Sequence, residues 1–545
     1  MARAPLEAAP AMDTLAYLIA SVILVGTLYR WIRRPSISHI RGPRPELFFG
    51  NIRDIIKRSN VEVMLEWQEE FGSVFRFQSL FGSKKLIVAD PRALHYILNT
   101  AAYEFPKPGP FRAVLRALSG PNLVVAEGDD HKKHRRLMAP AFGARETKAY
   151  LSIFKSCADK MVAKWQDAVV HSDDKESTVM DVHHSLLQAT LEALCEATFD
   201  FQMDNKRGDD LRKLYGNFNN DAFPPNGAIF SALLDWIPVW IITPLLRILP
   251  VKNLAFMRKH KRQTYEIATE IVAEKAHALS EGIESRDLCS LLVKANASEE
   301  AKNLRLTLDE LCAQSSVVFI AGHDTTTVTL TFGLWQLARH TDVQTRLRNE
   351  VRTSLASARA RGKADLSAED MEGMSYLQVV MKEILRLHPA VAQIARSAGK
   401  DCVLHLSYPI KTASGELIKQ IAVPKGTEIV VAMACYNRNK NIWGEDAHKF
   451  RPDRWLTEEQ PWKSETSVGV IGNLASFLSG TRSCLGWKFA MIEMQCFLVE
   501  IIDQFELRAT KNIRPWGDNL TYPLVDGEEE KGAQMPLRIS MASRD

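Results

Sequence analysis

The stretch Phe477-Leu478-Ser479-Gly480-Thr481-Arg482-Ser483-Cys484-Leu485-Gly486 limits this chain more than any other. It places one cysteine in a glycine-bounded loop, followed at once by an apolar, helix-forming run from Trp487 to Ile502. Gly480 and Gly486 permit close or left-handed backbone on both sides of Cys484. Backbone N–H groups can then turn toward the sulfur, and the helix N-terminus adds a positive potential that favours a thiolate. Arg482 brings a cation two residues away. Such surroundings suit a soft, anionic sulfur that ligates a metal. A buried structural cysteine in a turn is the plain alternative.

The remaining cysteines argue for a single special one. All eight (157, 195, 289, 312, 402, 435, 484, 496) are widely scattered and no C-x-x-C pair occurs, which speaks against a zinc site or a disulfide framework. Reduced thiols facing the cytosol fit this usage better. The net charge of +4 comes without a Lys/Arg-dense, aromatic-interleaved block, so nucleic acid is not an expected partner.

From the start of the chain, Leu15 to Leu28 is an uncharged, mostly apolar run, close to the ~20 residues of a membrane span. Glu7 and Asp13 stand where a signal peptide would be basic, and Arg30, Arg33 and Arg34 follow the run. The expectation is a signal anchor over 1–34 with the rest of the chain in the cytosol. Asn296-Ala297-Ser298 and Asn519-Leu520-Thr521 would then lie on the side where they are not glycosylated. Gly42-Pro43-Arg44-Pro45 resists helix, and 35–50 reads as a stiff hinge before a catalytic domain over 51–545. Short β-rich runs at Ser73–Gln78 and Lys85–Ala89 flank Phe81-Gly82-Ser83 and predict a hairpin. Periodicity is then mostly helical from Pro91 to Leu387. Trp236 to Pro250 is apolar and broken by three prolines, which argues against a regular core helix and for a loop or a membrane-dipping element.

Four further patterns bear on chemistry. In His131-Lys132-Lys133-His134-Arg135-Arg136 a helix would put His131 and Arg135 on one face and leave Lys132, Lys133 and Arg136 as a solvated charged face. Thr307-x-x-Glu310 is a capping box before an apolar-periodic run to about Arg339. Inside that run, Ala321-Gly322-His323-Asp324-Thr325-Thr326-Thr327 contains poor helix formers. Thr325 can bond back to the Ala321 carbonyl and open the helix locally. Finally, Glu383 and Arg386 share a helix face, and Arg454 in Phe450-Arg451-Pro452-Asp453-Arg454-Trp455 is a third member that a buried pair would need.

The filled pattern F-x-x-G-x-R-x-C-x-G, with A-G-x-D-T-T, E-x-x-R and P-x-R before it in order, resembles the cytochrome P-450 monooxygenases. The resemblance implies a mainly α, single catalytic domain with small β-sheets, holding haem b between the long Thr307 helix and the cysteine loop. By resemblance Cys484 is the axial thiolate ligand to the haem iron, within the loop residues Phe477, Gly480, Arg482 and Gly486. His131 (in place of the commoner tryptophan), Arg135 and Arg396 match positions that bind the haem propionates; for Arg396 an ordinary surface arginine remains an alternative. Ala321 and Gly322 leave room for dioxygen, Asp324 and Thr325 relay protons, and Glu383, Arg386 and Arg454 form a structural triad. The implied partners are O2, a lipophilic substrate, the membrane, and NADPH–cytochrome P-450 reductase with cytochrome b5 as a further donor. Lys132, Lys133, Arg136 and Lys488 would form the reductase face. The expected setting is the endoplasmic reticulum membrane, single-pass, with the catalytic domain cytosolic.

The candidate pocket walls, Phe105–Val125, Ala228–Leu249, Val317–Thr326, Ala390–Ile394 and Tyr522–Val525, are largely apolar. The texture of the chain resembles microsomal fungal members that oxidise terpenoids and other secondary metabolites, with xenobiotic, aromatic or steroid oxidation as the alternative. An O2-independent haem-thiolate isomerase and a non-catalytic haem- or lipid-binding protein are the rival classes.

Overall fold

The computed structural model describes residues 36–216, 227–249, 251–283, 285–298, 304–458, 466–517 and 520–544. Helices dominate, and the 32-residue helix Leu308–Arg339 runs through the middle of them. Its start is the expected capping box: Thr307 accepts from the Glu310 N–H, and the Glu310 carboxylate accepts from the Thr307 N–H. Helices Val182–Phe199, Lys252–Ser280 and Trp487–Gln504 pack around it. Helix Leu151–Val170 wedges between the first and last of these. The central helix is enclosed on most sides, with 23 of its residues buried, several of them polar.

Among the described residues, four small sheets sit at the periphery. The predicted hairpin is present, Val74–Gln78 pairing antiparallel with Lys84–Val88 in the register Phe75 to Ile87. Strand Glu428–Ala432 extends it in parallel, and Gln393–Ser397 closes the far edge antiparallel. The described part of the proline-rich stretch lies on this sheet: Ile37 and Ile40 are buried, and the Arg76 N–H donates to the Arg41 carbonyl at 2.9 Å. Helical periodicity between Pro91 and Leu387 is interrupted once in a way the sequence did not suggest. Ser177–Asp181 is a strand, because its partner Pro536–Met541 arrives from the other end of the chain and pairs with it antiparallel.

The proline-broken apolar segment is also different from expectation. Val239–Ile248 is a helix despite Pro244 inside it, and Pro238 stands at its N-cap. Proline φ suits a first turn, and Pro244 removes one backbone bond from a helix held on its neighbours by the buried Ile242 and Leu246. It crosses helix Gly109–Ser119, where a Cβ on Gly109 would lie 2.6 Å from Val239 Cγ2. Trp240 and Ile248 remain 71% and 72% exposed, beside exposed Phe230 and Leu233. Phe81 of the hairpin turn packs edge-on against Trp236 at 5.8 Å and is itself exposed with Leu47 and Phe48. Among the described residues no single helix is long and apolar enough to cross a membrane. The run Leu15–Leu28 lies outside the described residues.

Candidate active site

The cysteine loop is held by its own backbone. The Cys484 N–H donates to the Phe477 carbonyl at 2.8 Å. Gly480 has φ +69, and a Cβ there would lie 2.2 Å from the Leu98 carbonyl oxygen, so only glycine fits. Gly486 differs from the expectation: its φ is −87, and a Cβ would make ordinary contact with the Phe142 ring. Its contribution is an N–H aimed at the Cys484 sulfur. Cys484 is exposed, whereas the other cysteines are buried or half-buried. Enough protein nevertheless surrounds the sulfur that burial pushes the thiol up, with the Gly486 N–H and Arg135 pulling against it. The loop on its own therefore does not produce the thiolate expected from the helix N-terminus; a bound metal would take the proton's place.

Beside this loop two cations pair with one carboxylate, and two further arginines lie in the same cluster. Glu127 pairs with Arg482 and with Lys107 at 2.9 Å. Burial holds Lys107 down to about 8, and holds Arg396 down to about 10 with the Arg482 charge adding to it. Arg135 donates to the Ser483 carbonyl at 2.8 Å. The Nε and Nη1 of Arg482 are buried without a hydrogen-bond partner. A site with surplus buried positive charge and idle N–H donors fits a cofactor bearing carboxylates. His131 is buried and touches the Tyr103 hydroxyl at 3.0 Å. Burial, then Arg482, Lys107 and Arg135, push it down to about 3, so it is neutral at pH 7. Of this cluster the sequence pointed to Arg135, Arg396, Arg482 and His131 and missed Lys107, Tyr103 and Glu127. The fixed backbone of Pro106-Lys107-Pro108 was the available hint. Lys133 also departs from the solvated face predicted for it: Lys133 and His134 reach Glu310 at 3.4 and 3.1 Å, because the helix Gly128–Met138 docks on the central helix's cap.

On the central helix, Thr325 donates to the Ala321 carbonyl at 2.9 Å as predicted. The helix does not open there. Thr327, Thr329 and Thr331 make the same bond one turn back, and the α-helix stays continuous. Ala321 is exposed in mid-helix while Phe319 and His323 are fully buried. Gly322 serves packing instead of leaving space: a Cβ would lie 2.5 Å from Leu194 Cδ1. Asp324 is buried, and Tyr522 donates to its Oδ2 at 3.3 Å. Tyr522 begins strand Tyr522–Val525, which packs on this helix, and the Thr521 N–H ties it to Ala390 at 2.9 Å. The structure thus brings three of the predicted walls together around the Ala321 turn.

Below them, Glu493 of helix Trp487–Gln504 is fully buried. Neither carboxylate oxygen makes a well-formed hydrogen bond, although Thr326 lies close enough to pull on it. Burial pushes its carboxyl up to about 8. With the folded value raised, the contribution to stability is fully present below the unfolded value near 4.5 and is lost as pH rises through 8. Glu493→Gln should remove that loss, gaining on the order of a few kcal/mol at pH 8 and little at pH 5. Thermal midpoints across pH 5–8 check this; parallel curves for variant and wild type would refute it.

The predicted triad is assembled in full. Glu383 and Arg386 pair through bonds of 2.8 and 2.9 Å, and Arg454 Nε reaches Glu383 at 3.0 Å. Trp455 adds an indole N–H to Glu383 at 3.0 Å.

Comparison with known proteins follows the same lines. A family model for cytochrome P450 matches residues 40–518. Ganoderic acid synthetase of Ganoderma lucidum is 30% identical over 540 residues, covering 95% of this chain and 97% of that protein. Cytochrome P450 monooxygenase claQ of Ampulloclitocybe clavipes is 30% identical, with 97% of both chains covered. Cytochrome P450 monooxygenase 128 of Postia placenta is 29% identical over 97% of this chain and 96% of the relative.

Proposed function

The chain belongs to the cytochrome P450 family of oxygen-incorporating oxidoreductases, and from that premise we propose that it hydroxylates a lipophilic secondary metabolite of terpenoid type, using haem b. The observation that carries the site assignment is the exposed Cys484 in its glycine-bounded loop beside the idle donors of Arg482. Haem, when bound, supplies the redox-active iron that activates O2. Cys484 would ligate that iron as a thiolate. Arg482, Arg396, Arg135 and neutral His131 would hold the propionates, with Lys107 beside them.

Asp324 and Thr325 handle protons. Thr325 is half-buried at the exposed Ala321 turn, and the acid next to it is out of bulk water. A hydroxyl and a carboxylic acid so placed can deliver protons while water is kept from the reacting atoms. Thr325→Ala removes the hydroxyl and changes little volume, so the fold and haem site should survive. Product formed per NADPH should fall, with hydrogen peroxide released in its place; loss of an acid–base step typically costs ~10²–10⁴-fold. Unchanged coupling would reopen the O2-independent isomerase and the non-catalytic binding protein.

Electrons are proposed to come from NADPH–cytochrome P-450 reductase, with Lys132, Arg136 and Lys488 on its docking face; Lys133 is committed to Glu310. The apolar lining of the walls and the names of the relatives support the substrate class. The proposed setting is the cytosolic face of the endoplasmic reticulum membrane, anchored by residues 1–34. The exposed Leu47, Phe48, Phe81, Trp240 and Ile248 form a second apolar contact, larger than scattered surface residues need. Deleting 1–34 should therefore weaken membrane binding without abolishing it. Adding Trp240→Asp and Ile248→Asp should weaken vesicle flotation about tenfold or more, given ~1.5–3 kcal/mol per large apolar side chain buried. Equal flotation with and without the two substitutions would remove this contact.

A further inference from the structure

The turn that carries Asp324 holds a second titratable residue, His323, which the mechanism above does not use. His323 is fully buried, and its Nδ1 lies 2.7 Å from the Phe319 carbonyl oxygen. A carbonyl only accepts, so Nδ1 carries a proton and donates. Nε2 is thereby directed to Asp324 Oδ1, 3.3 Å away, though off the line of a well-formed hydrogen bond. Successive helix residues do not normally face each other; here their polar atoms meet out of water. Two lone pairs opposed in a buried site would be costly. A proton between them removes the conflict, either on an imidazolium facing a carboxylate or on a carboxylic acid facing neutral Nε2.

We propose that His323 is a positioning residue that keeps one proton on the buried His323–Asp324 pair, ready for transfer toward Thr325. This rests on the proton-handling role proposed for Asp324 and Thr325. Titratable groups of four neighbouring elements face the pair, and on a fifth the buried Glu493 lies beside Thr326. Tyr522 holds Asp324 Oδ2 at 3.3 Å. The Tyr215 ring packs edge-on against His323 at 4.7 Å, and its hydroxyl meets His260 Nε2 at 3.0 Å. Burial pushes Tyr215 far up, His260 down to about 4 and His183 down as well. Burial therefore keeps Tyr215, His260 and His183 uncharged at pH 7. After transfer the proton is replaced from water through the half-buried Tyr522 hydroxyl.

His323→Asn, with His323→Gln as a second side-chain length, keeps a donor for the Phe319 carbonyl and removes the titrating nitrogen. The assay uses the full-length holoenzyme with reductase, NADPH and 7-ethoxycoumarin as the probe. The variants lose the nitrogen that shares the proton with Asp324 and should be slow in the step that moves it. The rate should drop about tenfold with KM unchanged, and the solvent deuterium isotope effect should rise. An unchanged rate and solvent isotope effect in a variant with an intact ferrous–CO spectrum overturns the proposal. Unchanged coupling in Thr325→Ala removes the parent reading whatever His323 does; uncoupled Thr325→Ala with an unchanged isotope effect in His323→Asn removes this proposal alone.

Discussion

Glu383→Gln should destabilise the protein by about 3–5 kcal/mol, the usual cost of breaking one side of a buried ion pair. Arg386 and Glu383 are fully buried and Arg454 is 1% exposed. Burial pushes the Glu383 carboxyl up, but the hydrogen bonds and charges of Arg386 and Arg454 outweigh it and hold it below the usual range. Removing the negative charge leaves Arg386 with only carbonyls, and Arg454 with carbonyls and the half-buried Asp446 carboxylate at 3.0 Å. Those carbonyls belong to Asn437, Ala447, Lys449, Trp443 and Asp446, on the segment that leads to the cysteine loop. Asn437 bonds in turn to the Ala475 N–H at 2.9 Å. The loss should therefore appear both as a lower thermal midpoint and as a smaller haem-loaded fraction. It takes a large share of a typical 5–15 kcal/mol. Because Glu383 is depressed in the folded state, its contribution is present above the ordinary carboxylate range and fades as pH falls; the gap between variant and wild type should narrow in acid. A Glu383→Gln protein with wild-type midpoint and full haem content would show that the triad is not what holds this core.

The patterns that were legible in the sequence are the ones closed by near neighbours. The hairpin at 74–88, the Thr307–Glu310 box and the Thr325 bond to Ala321 each span a few residues, so spacing alone specifies them. The Glu383–Arg386 pair is local too, and its burial could be inferred from the apolar residues beside it.

What the sequence did not disclose depends on partners brought from far away. Ser177–Asp181 becomes a strand only when Pro536–Met541 lies beside it. Lys133 looks solvated until helix docking brings it to Glu310. Gly322 reads as room for a ligand, yet its missing Cβ is used by Leu194. The clasp of Tyr522 on Asp324 spans 198 residues, and nothing in either local sequence announces it. Pro244 misled for another reason: it costs the helix one backbone bond, and the buried Ile242 and Leu246 on either side offset that loss.

Cys484→Ser should abolish the thiolate-ligated haem site. A serine hydroxyl is nearly isosteric, so the loop should keep its shape, with the residue 484 N–H still on Phe477 and Gly480 still against Leu98. What changes is the ligand: an alkoxide is far harder to form than a thiolate and is not a soft donor. The buried cysteines supply the control, because burial pushes Cys435 up to about 12 and Cys496 well above its ordinary value, which leaves both inert as ligands. The most direct measurement is the absorbance of the ferrous–CO complex of the reconstituted protein. The red-shifted band of a thiolate-ligated haem should be present in wild type, Cys435→Ser and Cys496→Ser and absent in Cys484→Ser; a retained band in Cys484→Ser would contradict the assignment of this loop.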